Sequence, residues 1–164
     1  MENIKYTELT RQIVKENHLE LKEILPETEK LVLKILKVHF NDNHEVLIKV
    51  HRLYSQLKNS LELLFIKKEV VLFPLIADYQ RNPSDELMSD IKVLIREVEL
   101  GLDGVEKILI ELRRVTKDYK TPANSCMTFD KTYEDLEKID ALILKGLEVE
   151  KDNLYKKLKD ESAN

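Results

Sequence analysis

Cysteine is almost absent from this chain: Cys126 stands alone among 164 residues. A single thiol excludes an internal disulfide framework and suits a reducing compartment. Tryptophan is missing, and only three glycines and four prolines are present. So few breakers argue against a β-rich fold, whose many turns need them, and leave a few long helices. No uncharged run approaches the roughly 18 residues that would cross a bilayer. The opening MENIKYTELT is followed by no apolar run before Leu31, so no signal peptide is expected. Charge of one sign is also lacking. The 27 Lys and Arg and 31 Asp and Glu leave a net charge of −4, with the signs interspersed. That balance lacks the basic footprint of a nucleic-acid binder. The expectation is a cytoplasmic protein with no membrane and no nucleic acid among its partners.

What is there instead is helical periodicity. Turn signals fall at Asn41-Asp42-Asn43, at Arg81-Asn82-Pro83-Ser84 and from Lys120 to Ser125, with Ser84 and Thr128 as candidate N-caps. They divide one domain, 1–164 with its core at about 7–159, into helices over about 7–40, 44–79, 84–118 and 128–159. Pro26 and Pro74 lie inside the first and second and are expected to kink them. Each segment carries an inward seam with alternating steps of four and three residues. The first runs Val14, His18, Leu21, Leu25, Thr28, Val32, Ile35, His39, and the second Val50, Tyr54, Leu57, Leu61, Leu64, Lys68, Val71, Leu75. The third is Leu87, Ile91, Leu94, Val98, Gly101, Val105, Ile108, Leu112. The fourth is Leu136, Ile139, Ile143, Gly146, Glu150, Leu154. Short connections make such helices antiparallel, giving an all-α, up-down-up-down four-helix bundle.

His18, Lys68, Gly101, Gly146 and Glu150 are seam residues that an apolar core does not call for. In an antiparallel hairpin, residues equidistant from the turn lie side by side. With turn centres near 42, 82 and 123, His18, Lys68 and Glu150 fall in one core layer beside Leu64, Val98 and Gly146. His39, roughly 30 Å along the helix from His18, falls outside it. A core layer with polar residues from several helices is where bundles hold cofactors, and two irons there need about six His and carboxylate ligands. This layer offers one His and one Glu. His18 reads either as a metal ligand or as a core histidine satisfied by Glu150. Glu150 reads as a ligand or as the ion-pair partner of Lys68. His39, His44 and His51, close to the first turn, read as an accessory metal patch or as ordinary boundary histidines. Cys126, at the start of the fourth helix, reads as a reactive thiol or as a small packing residue. No catalytic triad, phosphate loop or acid–base carboxylate pair stands out.

Asn17-His18 with Leu25-Pro26-Glu27 resembles the HHE-x-x-x-x-x-LPEL opening of hemerythrin-like (HHE) domains in the iron–sulfur cluster repair, or repair of iron centres, proteins. Val38-His39, His51-Arg52-Leu53, Lys67-Lys68-Glu69, the VLFPLI run at 71–76, Asp118-Tyr119, Cys126-Met127-Thr128-Phe129 and the Gly146-to-Glu150 stretch extend the resemblance over about 10–156. It implies a hemerythrin-like bundle with a di-iron centre. Carried over by position, the family's first ligand histidine falls on His18. Its second-helix H-x-x-x-E falls on Leu64 and Lys68, its third-helix histidine on Val98, and its fourth-helix H-x-x-x-E on Gly146 and Glu150. Only His18 and Glu150 keep a ligand residue type, and the family's N-terminal cysteine-bearing module has no counterpart here. The leading expectation is a degenerate metal site without a cofactor, in a non-catalytic binding or regulatory module for a protein or small molecule. One alternative is a di-iron protein that binds oxygen or nitric oxide or repairs iron–sulfur clusters, with His18, Glu69 and Glu150 as iron ligands. Another is a small-molecule binder using space vacated at Gly101 and Gly146.

Overall fold

The seams need partners to bury them, and four helical rods supply each other's. The computed structural model describes residues 5–162, and among them every regular element is helical. The two ends of the domain expected over 1–164 lie outside the described residues. Rod α1 (6–38) joins the helix Tyr6–Ile13, a π-helical turn Val14–His18 and the helix Leu19–Val38. Rod α2 (40–81) joins Phe40–Ile66, a π-helical stretch Lys67–Leu72 and Phe73–Arg81, with a break at Asn43 that puts the true start of the rod near 44. Rod α3 is the single helix Asp85–Val115, capped by the Ser84 side chain accepting from the Leu87 N–H. Rod α4 (127–162) joins Met127–Leu147, a π-helical stretch Glu148–Tyr155 and Lys156–Ser162. Rod α1 packs against α2 and α4, and α2 against α3. A ladder of ion pairs, Arg113–Asp140, Lys151 to Asp103 and Glu106, and Lys159–Glu99, runs between α3 and α4. The rods therefore alternate in direction, as the short connections require.

Most seam residues are inside, and the departures have physical causes. On α2 the seam holds through Lys68, but Val71 is exposed while Leu72, Phe73 and Ile76 are buried. A π turn spends one extra residue, so the inward face moves on by one after Lys67–Leu72. Pro74 follows directly. It has no N–H to give and its ring crowds the carbonyl of Val70, so the expected distortion takes the form of this π stretch. At Pro26 the α-helical run continues unbroken. On α3 alternate seam positions shift by one, to Met88, Ile95, Leu102 and Leu109.

Two expected boundaries are corrected. The third helix ends at Val115, because Lys117, Asp118 and Tyr119 all have positive φ. This left-handed turn is held by Tyr119, whose N–H donates to Thr116 Oγ1 and whose hydroxyl donates to Asp140. The fourth helix is capped by Cys126, not by Thr128, which lies inside it.

Candidate functional site

The layer around His18 is built by all four rods. His18, Lys68 and Glu150 are 0%, 3% and 2% exposed. Each lies in one of the three π-helical stretches. A π turn widens the helix and re-aims its side chains, which is why such turns gather at functional sites. Here they bring three polar side chains to the bundle axis at one height.

Lys68 Nζ donates to Glu150 Oε1 at 2.6 Å, and the Tyr155 hydroxyl donates to Glu150 Oε2 at 3.0 Å. His18 Nε2 lies 3.7 Å from Glu150 Oε1, and His18 Nδ1 lies 3.5 Å from Glu69 Oε2. Both separations exceed hydrogen-bond length, and both ring nitrogens lack a hydrogen-bond partner. The ring sits by Phe65, with centroids 4.7 Å apart, and is stacked at 6.1 Å on Phe73. Lys22 closes the outer side, with Nζ 2.6 Å from Glu69 Oε2.

Protonation follows from this packing. Burial pushes the His18 imidazole below its ordinary value, helped by the Lys68 ammonium and opposed by Glu150 and Glu69, so it is neutral at pH 7. Burial alone would raise the Glu150 carboxyl. The Lys68 ammonium bonded to it outweighs burial and holds the group below the usual carboxylate range. Burial, then the Glu150 charge, pushes the Tyr155 hydroxyl far up, so it remains a donor.

The positions that resemble ligand positions but carry other residues are filled. Leu64 leans on Gly101, where an added Cβ would meet Leu64 Cδ2 at 2.8 Å. The Asn17 side chain covers Gly146, where a Cβ would meet its Oδ1 at 2.6 Å, and Asn17 Nδ2 donates to the Leu142 carbonyl at 2.6 Å. The expectation of a vacated core pocket is thereby corrected. A cavity of about 10 Å³ remains beside Asn17, Phe65, Lys68, Gly146 and Glu150, room for one water at most.

Two irons need about six inward imidazole or carboxylate ligands. This layer presents His18, Glu69 and Glu150, with an ammonium bonded to the last. Among the described residues, no three His, Cys, Asp or Glu side chains come together as a metal-ion site. The donors present do not match a di-iron set.

Near the first turn, His39 is buried and has Nε2 3.2 Å from Cys126 Sγ. His44 is exposed beside Phe40, with ring centroids 5.2 Å apart, and His51 is half-buried. The three histidines do not gather into the patch their spacing allowed.

The sequence reading missed Tyr155 and Asn17. Its mirror placed the third turn near Ala123, whereas the Arg113–Asp140 pair pivots about Cys126–Met127, about one helical turn further on. That shift conceals Tyr155. Asn17 was visible only as the neighbour of His18, and nothing in helical spacing shows that it would bend over a glycine of another rod. Glu69 was named only as an alternative ligand, and its contact with His18 follows from the π turn.

No helix is long and apolar enough to cross a membrane among the described residues. No family model matches the chain. Over 141 residues, 86% of its length, the chain is 25% identical to "Iron-sulfur cluster repair protein ScdA" in two strains of Staphylococcus epidermidis. It is 26% identical over 137 residues, 82% of its length, to the protein of that name from Staphylococcus haemolyticus. The chain spans 61% and 60% of these relatives' own lengths. An all-helical four-rod bundle that aligns over most of its length with these proteins resembles the hemerythrin-like iron–sulfur cluster repair family.

Proposed function

We propose that this protein is a hemerythrin-like bundle in which an organic charge cluster has replaced the di-iron centre, and that it serves as a non-catalytic binding or regulatory module. The observation that carries this reading is the Lys68 ammonium, bonded at 2.6 Å to Glu150 inside the layer. It stands where a carboxylate ligand falls by resemblance, and it supplies the positive charge that bound metal would supply. A cation there repels ferrous ions and competes for the carboxylate. The packing of Leu64 and Asn17 over Gly101 and Gly146 supports the same reading, because a resident metal needs that space. A binding role is supported by the outer face of α2. Leu63, Ile66 and Val70 are 69%, 58% and 67% exposed at helical spacing, an apolar stripe suited to a protein partner. A reducing, cytoplasmic setting fits the single thiol.

A second reading, iron held for iron–sulfur cluster repair, is favoured by the relatives' name and by one feature of His18. Its two ring nitrogens lack hydrogen-bond partners and face Glu150 and Glu69. Anaerobic ferrous titration separates the two. The wild type is expected to take up no ferrous ion in its core. A variant with Leu64→His, Lys68→Glu, Val98→His and Gly146→His, plus Asn17→Ala to clear the space over residue 146, is expected to gain it. Saturable wild-type binding that is lost in His18→Phe would instead establish the second reading.

A further inference from the structure

His39 follows α1 with φ −103° and ψ 22°, and it turns its ring inward at the end of the bundle away from His18. It is 6% exposed and lies edge-on to Phe129, with ring centroids 5.0 Å apart. Its Nε2 is aimed at Cys126 Sγ, 3.2 Å away. Its Nδ1 has no hydrogen-bond partner and faces the Asp42 carboxylate at 3.8 Å. A buried ring nitrogen without a hydrogen bond is costly, and a protonated Nδ1 facing the Asp42 carboxylate lowers that cost.

Cys126 meets it from α4. As the N-cap residue of that rod, with φ −121° and ψ 173°, it stands at the helix N-terminus, where the first N–H groups have no partner within the helix. Three features favour a thiolate: the imidazole as proton acceptor, the helix N-terminus with its free donors, and Asp42 behind the imidazolium. The contact with His39, and after it the nearby N–H groups of the helix N-terminus, hold the thiol below its ordinary value. Cys126 is half-buried, so a small reagent reaches the sulfur.

We propose that Cys126 and His39 form a thiolate–imidazolium pair that makes Cys126 a site of oxidation by small hydroperoxides. The thiolate attacks the terminal oxygen of the hydroperoxide and forms an S–O bond as the O–O bond breaks. The leaving alkoxide or hydroxide takes the proton from His39 Nε2 and departs as alcohol or water. Sulfur gives up two electrons and becomes a sulfenic acid, and the imidazole is left neutral. A hydroperoxide fits better than a disulfide because its leaving group is strongly basic and needs that proton, whereas a departing thiolate does not. The chain has no second cysteine, so the sulfenic acid is returned to thiol by thiols of other molecules. The pair stands apart from the His18 layer, and the proposal holds whether or not that layer binds iron.

The test uses the full chain at pH 7, with mass spectrometry of the Cys126 peptide. Iodoacetamide reports thiolate, and hydrogen peroxide with dimedone trapping reports sulfenic acid. An ordinary thiol is only a few per cent ionised at this pH, so the folded protein should be alkylated about tenfold faster than the same chain in urea. Asp42→Asn should slow alkylation, and His39→Gln should return it to the unfolded rate. His39→Gln should slow sulfenic acid formation by a larger factor than alkylation, because it removes a proton donor as well as a charge. Circular dichroism checks that each variant folds. Should His39→Gln not fold, the comparison of folded with urea-unfolded wild type and the Asp42→Asn variant decide the matter. Equal alkylation rates folded and unfolded would overturn the ion pair. Fast alkylation with peroxide oxidation no faster than in the unfolded chain would overturn the hydroperoxide assignment.

Discussion

Lys68→Met leaves the Glu150 carboxylate without its cation in a site 2% exposed, and the cost can be worked from the structure. Two unit charges 2.6 Å apart attract by roughly 6 kcal/mol at an effective dielectric of about 20, most of which offsets desolvation of the pair. The net stabilisation by the pair is therefore small, while the cost of breaking it is large. Glu150 has one escape, which is to take up a proton. Protonating a carboxyl of ordinary value 4.5 at pH 7 costs about 3 kcal/mol, which sets the scale of the loss. Glu150→Gln strands Lys68, whose other neighbour is the Phe65 ring, 5.8 Å from its Nζ, and should cost about 3–5 kcal/mol. The double variant Lys68→Met with Glu150→Gln should cost less than either. The carbonyl of the introduced amide would still accept from the Tyr155 hydroxyl, so no buried hydroxyl is orphaned. The assay is urea unfolding followed by circular dichroism, run at pH 7 and repeated near pH 4. At the lower pH the Lys68→Met penalty should shrink to below about 1 kcal/mol, because Glu150 is then protonated in the unfolded chain as well. Single effects that add within about 0.5 kcal/mol, or a Lys68→Met penalty that ignores pH, would refute the reasoning.

Other outcomes follow from the same packing. The folded-state value of His18 is lowered, so the unfolded chain binds its proton first as pH falls; stability should drop below about pH 6.5, by up to about 1.4 kcal/mol per pH unit, and His18→Phe should remove that slope in unfolding measurements. Gly146→Ala drives a Cβ into the Asn17 amide and should destabilise by about 1–3 kcal/mol, with most of the loss recovered by adding Asn17→Ala in a thermal-melt comparison. Lys117→Gly relieves a left-handed non-glycine residue with φ 51° and should raise stability by about 0.5–1 kcal/mol by denaturant unfolding.

The bundle was legible because its seams are long and regular: Leu21, Leu25, Val32 and Ile35 on α1 need only the helical period to be recognised as core. Mirror distances about the turns put Lys68 and Glu150 in one layer, although the third turn pivots about one helical turn further on than they assumed. What escaped is what breaks the period. The π turns carry no mark in composition, and they move Leu72 and Ile76 inward in place of Val71 and Leu75. The loop between α3 and α4 carries its pivot to Cys126–Met127, and its three left-handed residues are not glycines that would mark the turn. Spacing along one helix also cannot reveal which side chain of another rod a residue meets, as with Asn17 over Gly146 or His39 on Cys126.

The most direct measurement is the iron content and visible spectrum of the protein purified without oxygen from iron-replete cells. A core organised around the Lys68–Glu150 pair predicts iron far below one ion per chain and no charge-transfer band between about 300 and 400 nm, because Leu64, Lys68, Val98 and Gly146 offer no imidazole or carboxylate. Near two irons per chain, with that band present and lost in His18→Phe, would contradict it.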